Sequence, residues 1–531
     1  MRTAPTAGPR PIAAAALMLL AGLTHALSMA WPLPGPWAEG EPVALLQVLA
    51  MLTLVAVLER CTSARQAALM GACFAVAMLA ATFWWLFISM HTYGGLAAPL
   101  AALAVVALAA ALGLYYVAAA ALYRRLRPAA LAARVLLWAG LWLAAELARV
   151  VVFTGFPWGQ SGYAHVDGWA QTLAGWIGVH GLSWLCAAVA AALALWLFPA
   201  QGPRRIAPAI ALGALAVALA YLPHQPQTQT PRPPLTLSLV QGNIAQDEKF
   251  IPGSGVAQAL DFYGQKLRQA PGSLVVLPET AIPLLPEQLA PDYWAQLIAP
   301  FSRGDRAALI GIPLGSFSQG YTNSVIGLKP GLTEPYRYDK HHLVPFGEFI
   351  PPLFRWFVEL MNIPLGDFRR GGLGQASFEW QGERLAPNIC YEDLFGEELG
   401  ARFVDPDRAP TIFVNVSNIA WFGHTVAIDQ HLHISRMRAL EFGRPMVRAT
   451  NTGATTFIDA QGRVVAMLPP HTRGTLEAQV QGAEGLTVYA RLVSTWGLGP
   501  AYAWVLISLL AALVWPGRRS TSGPSQSKHH E

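Results

Sequence analysis

The chain has 531 residues, of which 54% are hydrophobic and only 13% charged, with a formal net charge of +5. Soluble domains carry roughly 25% charged residues, so a wholly soluble protein is excluded. The apolar excess lies in residues 1–222 and near 500–516, a pattern that describes a membrane protein with one large water-exposed domain.

A helix needs about 20 predominantly apolar residues to cross a bilayer. In chain order, spans are predicted near 12–30, 43–58, 67–90, 97–123, 135–152, 174–198, 206–222 and 499–516, about 8 transmembrane helices in all. Basic residues mark every second connection: Arg2 and Arg10; Arg60 and Arg65; Arg124, Arg125, Arg127 and Arg134; Arg204 and Arg205; then Arg518, Arg519 and Lys528. The connections 31–42, 91–96 and 153–173 carry neither lysine nor arginine. The positive-inside rule then places both termini in the cytoplasm and residues 223–498 on the opposite face. These arginines account for the net charge, and no basic patch laced with aromatics suggests nucleic acid.

Within the fifth span, Glu146 and Arg149 lie three residues apart and share a helix face. Charges inside a span are functional candidates. A structural ion pair that holds the following loop, Thr154-Gly-Phe-Pro-Trp158, is the plainer reading.

After the seven spans of 1–222, residues 223–234 form a linker rich in Pro, Gln and Thr, and 235–485 have the pattern of an α/β domain. Residues 486–531 supply the final span and a cytoplasmic tail. Buried strands are expected at 235–240, 273–277, 308–312 and 411–416, and helices at 255–269, 289–302 and 425–443. The segment 345–370, which contains Trp356 and Phe357, is apolar yet rich in Pro and Gly. It reads either as an arm that rests on lipid or covers a lipid-sized pocket, or as an ordinary packed insertion.

Three strand-like runs each end in a reactive group: a carboxylate at Glu279, an amine at Lys340 and a thiol at Cys390. Sites in α/β sheets form at the carboxyl ends of strands, so these three are placed to converge. Together they make a nucleophilic centre, in which the carboxylate is base to the thiol and the amine meets the oxyanion. The backbone N–H of Tyr391 is a natural second oxyanion donor. Taken singly, Cys390 reads equally well as a small core residue, and Glu279 or Lys340 as half of a surface ion pair. The adjacent His341 and His342, and His431 and His433 two apart, lack zinc spacing, so no metal is expected. The other cysteines (Cys61, Cys73 and Cys186) lie in or beside apolar runs, which leaves Cys390 without a disulfide partner.

The motifs "LPET", "YDKHHLVPFGE" and "NICYED" resemble the Glu-Lys-Cys motifs of the nitrilase superfamily. Further runs, "ELARVVVFTGFPWGQSGYA", "VQGNIAQDEKF", "YTNSVIGL" and "NVSNIAWFGHT", resemble its membrane-bound branch, the bacterial apolipoprotein N-acyltransferases. The resemblance implies a polytopic α-helical membrane domain joined to a four-layer α-β-β-α sandwich. It implies Glu279 as general base, Lys340 as oxyanion stabiliser and Cys390 as nucleophile. Glu348, Tyr391 and Glu392 become supporting residues, and Asn323 and Trp421 pocket residues, with Trp356 and Phe357 as lipid contacts. The chain departs from the pattern at Ile419, where many members carry aspartate. No cofactor is implied. The expected partners are a phosphatidylethanolamine-like phospholipid donor, a diacylglyceryl apolipoprotein acceptor and the lipid bilayer. The expected enzyme is a monomer of the bacterial inner membrane with its catalytic domain in the periplasm. Two rivals use the same sequence differently: a membrane-tethered amidase, or a lipid transporter or scaffold with a vestigial triad. Against the transporter, the spans hold few ionisable residues and no sign of a duplicated half.

Overall fold

In the computed structural model, residues 11–198, 218, 225, 228–350 and 368–515 are described. The predicted seventh span and the residues Trp356 and Phe357 fall outside them. Apolar helices stand at the other expected span positions: Pro11–Leu27, Ala44–Leu58, Ala64–Thr82, Ala98–Leu126, Leu131–Val151, Ala174–Leu197 and Gly499–Val514. Among the described residues, 4 helices are long and apolar enough to cross a membrane, or 5 if one bent pair counts as a single span. Pro11–Leu27 and Ala44–Leu58 are shorter. Small residues let these helices approach closely. A Cβ at Gly71 would come within 2.7 Å of Ala120 on the helix Ala98–Leu126.

One boundary differs from expectation for a visible reason, and one helix was not expected. The span predicted to reach residue 90 stops at Thr82, whose carbonyl is taken by the Gln430 side-chain amide (3.0 Å) and the Trp85 indole (3.1 Å). The final span is preceded by the amphipathic helix Val488–Trp496, bent 97° from Gly499–Val514. Gly497 with φ 54° makes the corner, and a proline opens the next helix.

The α/β domain is built on strands β1 (Thr228–Gln229), β2 (Leu235–Gln241), β3 (Leu274–Val276), β4 (Ala307–Ser316), β5 (Gly320–Leu328), β6 (Tyr336–Asp339) and β7 (Phe378–Trp380). They continue with β8 (Glu383–Ile389), β9 (Ile412–Ser417), β10 (Met446–Thr450), β11 (Thr456–Ile458), β12 (Val464–Met467), β13 (Gly474–Val480) and β14 (Ala483–Glu484). One six-stranded sheet has the order β13-β2-β3-β4-β5-β6 and the other β12-β11-β10-β9-β8-β7. Each has a parallel centre, β2-β3-β4 or β8-β9-β10, with antiparallel flanks. Part of the expected linker is ordered, because β1 pairs with β14 and ties the two ends of the domain together.

Alternation along the strands defines the layers. Leu237, Leu239, Leu274 and Val276 meet Ile389, Ile412, Val414 and Val416 between the sheets. Val240, Val275 and Ile310 point the other way, onto the helices Ala257–Gln269 and Pro291–Ile298. Phe413 and Met446 face the helix Ala427–Phe442, which belongs to the same apolar cluster as the membrane helices. The result is an α-β-β-α sandwich whose last helical layer is shared with the bundle.

That shared helix is buried along nearly its whole length although it carries Gln430, His431, His433, Ser435, Arg436, Arg438 and Glu441. Each buried polar group must therefore find a partner. His433 Nε2 bonds the Gly40 carbonyl (2.7 Å), Arg436 bonds Asp167 (2.7 Å), and Glu441 accepts the Val179 N–H (2.7 Å) while pairing with Arg438 (3.1 Å). Glu441→Ala would strand the buried Arg438 and orphan the Val179 N–H. The expected cost is about 3–5 kcal/mol, read as a lowered melting temperature of the full chain in detergent. Glu441→Gln, which keeps an acceptor for Val179, is expected to fall between that variant and the wild type.

Candidate active site

The ends of three strands, two in one sheet and one in the other, carry the candidate groups. Past β3, the Leu277 N–H still bonds the Leu309 carbonyl (2.9 Å), and the chain then turns sharply through Thr280 at φ 49°. This turn projects the side chain of Glu279, a residue 8% exposed. Its Oε1 accepts from Asn323 Nδ2 (2.7 Å) and lies 3.4 Å from Lys340 Nζ, and its Oε2 accepts from the Asn418 N–H (2.8 Å). Past β6, the Lys340 N–H extends the pairing to the Asn323 carbonyl (2.8 Å), while Nζ bonds Glu348 Oε1 (2.9 Å). Glu348 is fixed in turn by Asn323 Nδ2 (2.7 Å) and by the Val344 N–H (2.8 Å).

Past β8, Cys390 adopts φ 53°. A left-handed conformation costs a non-glycine residue about 1–2 kcal/mol, so its neighbours must hold it. Glu392 does so from beneath: its carboxylate takes the N–H groups of Ile389 (2.6 Å) and His341 (2.6 Å) and the Tyr338 hydroxyl (2.8 Å). It thereby ties the cysteine strand to the lysine loop. The Cys390 carbonyl is bound by His431 Nε2 (3.2 Å) and Asn415 Nδ2 (3.3 Å). His431 is itself fixed between Asp393 (3.0 Å) and Arg448 (3.1 Å).

Electrostatics divides the roles available to these groups. Burial pulls the Lys340 ammonium down, but Glu348 and Glu279 together outweigh it and hold the amine well above its usual range. Burial, with the Glu279 charge, pushes the Cys390 thiol up to about 12, against the opposing pull of Lys340. The resting centre is thus a charged lysine beside a neutral thiol. Burial also raises Glu392, although its hydrogen bonds oppose the shift.

Glu279, Lys340, Glu348 and Asn323 form one network, with Cys390 and Glu392 at the adjoining strand end. Asn323 gives its side-chain amide N–H groups to the two carboxylates and so bridges them. The Tyr391 side chain leaves the centre, donates to the Gly155 carbonyl (3.0 Å) and lies parallel to Phe156. Trp421, partly exposed, lies edge-on to Tyr93 at 5.9 Å on the turn Ile419–Phe422. Ile419 is 2% exposed, in an apolar setting where its Cγ2 leaves no room for a Cβ on Gly453.

Glu146 and Arg149 do not form the expected ion pair. Glu146 accepts from the Ser161 N–H (2.9 Å), Ser161 Oγ (2.6 Å) and the Trp142 indole (3.1 Å). Arg149 donates to the carbonyls of Phe156 (3.1 Å) and Trp158 and to the Tyr116 hydroxyl (3.1 Å). The loop that follows them in the chain supplies partners to both.

Sequence reasoning passed over Lys249, Asn418 and His431. Lys249 and Asn418 stood inside quoted motifs, whereas His431 was weighed only as a metal ligand. Among the described residues, no cluster of three or more His, Cys, Asp or Glu is arranged to hold a metal ion.

A thiol, an acid and an amine at the strand ends of an α-β-β-α sandwich, seated on a helical bundle, define a membrane-anchored nitrilase-like domain. Comparisons agree for both halves. Residues 26–192 match the apolipoprotein N-acyltransferase N-terminal domain, and residues 236–486 match carbon-nitrogen hydrolase. The apolipoprotein N-acyltransferase of Verminephrobacter eiseniae is 55% identical over 507 residues, covering 90% of this chain and 92% of that protein. That of Ralstonia nicotianae is 43% identical over 515 residues, covering 96% and 94%. A solved amidase from Nesterenkonia sp. AN1 aligns at 14% identity and TM-score 0.37, over 50% of this chain and 95% of its own. The chain belongs to the apolipoprotein N-acyltransferase family.

The electrostatics yields a prediction whose direction is easy to mistake. Glu279→Gln removes a negative charge that raises the thiol, so iodoacetamide alkylation of Cys390 should become faster at a given pH, with its profile displaced to lower pH. The check is the mass of the Cys390 peptide followed against time across pH.

Proposed function

We propose that the protein N-acylates the N-terminal diacylglyceryl-cysteine of apolipoproteins, with a phospholipid as acyl donor and a thioester on Cys390 as intermediate. The observation that carries this reading is the Cys390 thiol at a left-handed strand end, set against the Glu279–Lys340–Glu348 network. Membership of the family supports an apolipoprotein as the acyl acceptor.

In the first half-reaction, Sγ attacks the sn-1 ester carbonyl of a phosphatidylethanolamine-like lipid while its proton passes to Glu279. Because the resting thiol is neutral, deprotonation and attack are coupled. Lys340, held as a cation, cannot be the base and instead faces the developing oxyanion. The ester C–O bond breaks, Glu279 returns the proton to the leaving alkoxide, and a lysophospholipid departs. In the second half-reaction, the free α-amine attacks the thioester, Glu279 accepts its proton, and the thiol is restored with that proton. Glu348 and Asn323 keep the carboxylate and ammonium in register, while Glu392 holds the cysteine strand. Ping-pong kinetics follow.

The arginine distribution supports an eight-span topology with both termini cytoplasmic and the catalytic domain on the periplasmic face of the inner membrane. On that side a lone thiol escapes disulfide trapping, and Cys390 is a free cysteine.

The test is direct. Purified protein incubated with phospholipid should give a Cys390 peptide heavier by one acyl group, labile to neutral hydroxylamine and absent in Cys390→Ala. Retained transfer with an unmodified peptide would overturn the covalent route.

A further inference from the structure

Lys249 is 2% exposed, and its Nζ donates to the main-chain carbonyl of Glu279 (3.1 Å). It is carried by the loop after β2, and that loop is anchored with care. The Ile244 N–H and carbonyl both bond the Asn451 side chain (3.0 and 2.8 Å). Asn451 Nδ2 also reaches Asn418 Oδ1 (3.1 Å), and Asn418 Nδ2 bonds Gln246 (2.8 Å). The same Asn418 gives its N–H to the Glu279 carboxylate. The loop therefore grips Glu279 twice: at the side chain through Asn418 and at the main chain through Lys249.

The grip falls where the backbone is under load. Thr280, next in sequence, is left-handed, and Gly311 packs so closely on Pro278 and Glu279 that a Cβ would collide with them. The charge balance points to the same residue. Glu279 and Glu348 set two carboxylates against the one ammonium of Lys340, which leaves the cluster short of positive charge just where a thiolate must form.

We propose that Lys249 is a positioning residue for the acyl transfer: it holds the turn that bears Glu279 and supplies the positive charge that the Glu279–Lys340–Glu348 cluster lacks. The proposal rests on Cys390 being the nucleophile. The titratable groups acting on Lys249 from other strand ends are Glu279 and Cys390, while Asp247 and Glu248 on its own loop are exposed. Its Nζ also lies 5.8 Å from the Phe250 ring. Burial pulls the amine down to about 8 although both neighbouring groups oppose the shift, which leaves it mostly protonated at neutral pH.

The experiment measures iodoacetamide alkylation of Cys390 against pH in the full chain, by peptide mass, for the wild type, Lys249→Gln and Lys249→Arg. Glutamine keeps a donor for the Glu279 carbonyl but removes the charge, whereas arginine keeps the charge. An opposite charge nearby shifts a titrating group by roughly one unit or more, so Lys249→Gln should alkylate about tenfold more slowly near neutral pH. Its profile should move to higher pH, and Lys249→Arg should stay near the wild type. Superimposable glutamine and wild-type profiles would overturn the proposal. Failure of both variants to fold would assign Lys249 to stability and overturn it as well. If wild-type Cys390 takes up an acyl group while the glutamine profile is unmoved, only this proposal falls. If wild-type Cys390 never acylates, it is the function reading that fails.

Discussion

Much of the molecule depends on one constraint: a polar helix buried on all sides. The helix Ala427–Phe442 lies between the second sheet and the membrane bundle, where water cannot satisfy its side chains. Its partners come from both. Gln430 joins Thr82, Trp85 and Trp158 of the bundle, while His431 reaches the Cys390 carbonyl. One helical turn thus bonds both the end of a membrane helix and the backbone of the candidate nucleophile. Moving the domain relative to the bundle would strand several buried polar groups at once, so the two halves are locked in one arrangement.

The same accounting governs the reactive centre. Two carboxylates around one lysine keep that lysine charged against the pull of burial, and burial together with the Glu279 charge keeps the adjacent thiol neutral. A free thiolate would be reactive before substrate arrives, whereas a neutral thiol beside a base becomes nucleophilic only as a carbonyl draws the electrons out. For a transferase of the proposed kind, that arrangement favours reaction with a bound ester over adventitious modification.

The α/β character of the domain was legible because its signals are local, whereas its four-layer arrangement was implied only by the family resemblance. Apolar strand runs, the acid, amine and thiol at their ends, and the lone polar-side cysteine can be read within windows of a few residues. What escaped depends on distant partners. The stop at Thr82 is made by Gln430, 348 residues away in the chain. The burial of Ala427–Phe442 cannot be read from its many polar residues, because their partners come from distant segments such as those holding Gly40, Asp167 and Val179. Helical spacing suggested that Glu146 and Arg149 pair, but spacing is silent about a returning loop that offers shorter bonds to each. The start of the final span at 499 was legible, whereas the helix Val488–Trp496 before the corner at Gly497 was not read.

That returning loop explains why charges are kept inside a span at all. Phe153, Thr154 and Gly155 take three successive positive φ values, and a Cβ at Gly155 would collide with the Val150 carbonyl. A turn so strained persists only when its surroundings over-determine it. Arg149 binds the carbonyls just after the turn, and Glu146 binds the amide at Ser161 where the loop closes. The carbonyl of Gly155 then accepts the hydroxyl of Tyr391, the residue next to Cys390. The two intramembrane charges therefore set the position of a backbone oxygen, and that oxygen anchors the strand end that carries the thiol. A flexible tether would let the thiol wander along the membrane normal, whereas this chain of bonds ties it to the end of a membrane helix. On the proposed reading, both substrates present their reacting groups at a depth fixed by their own acyl chains, so a thiol held at one depth meets each of them in turn.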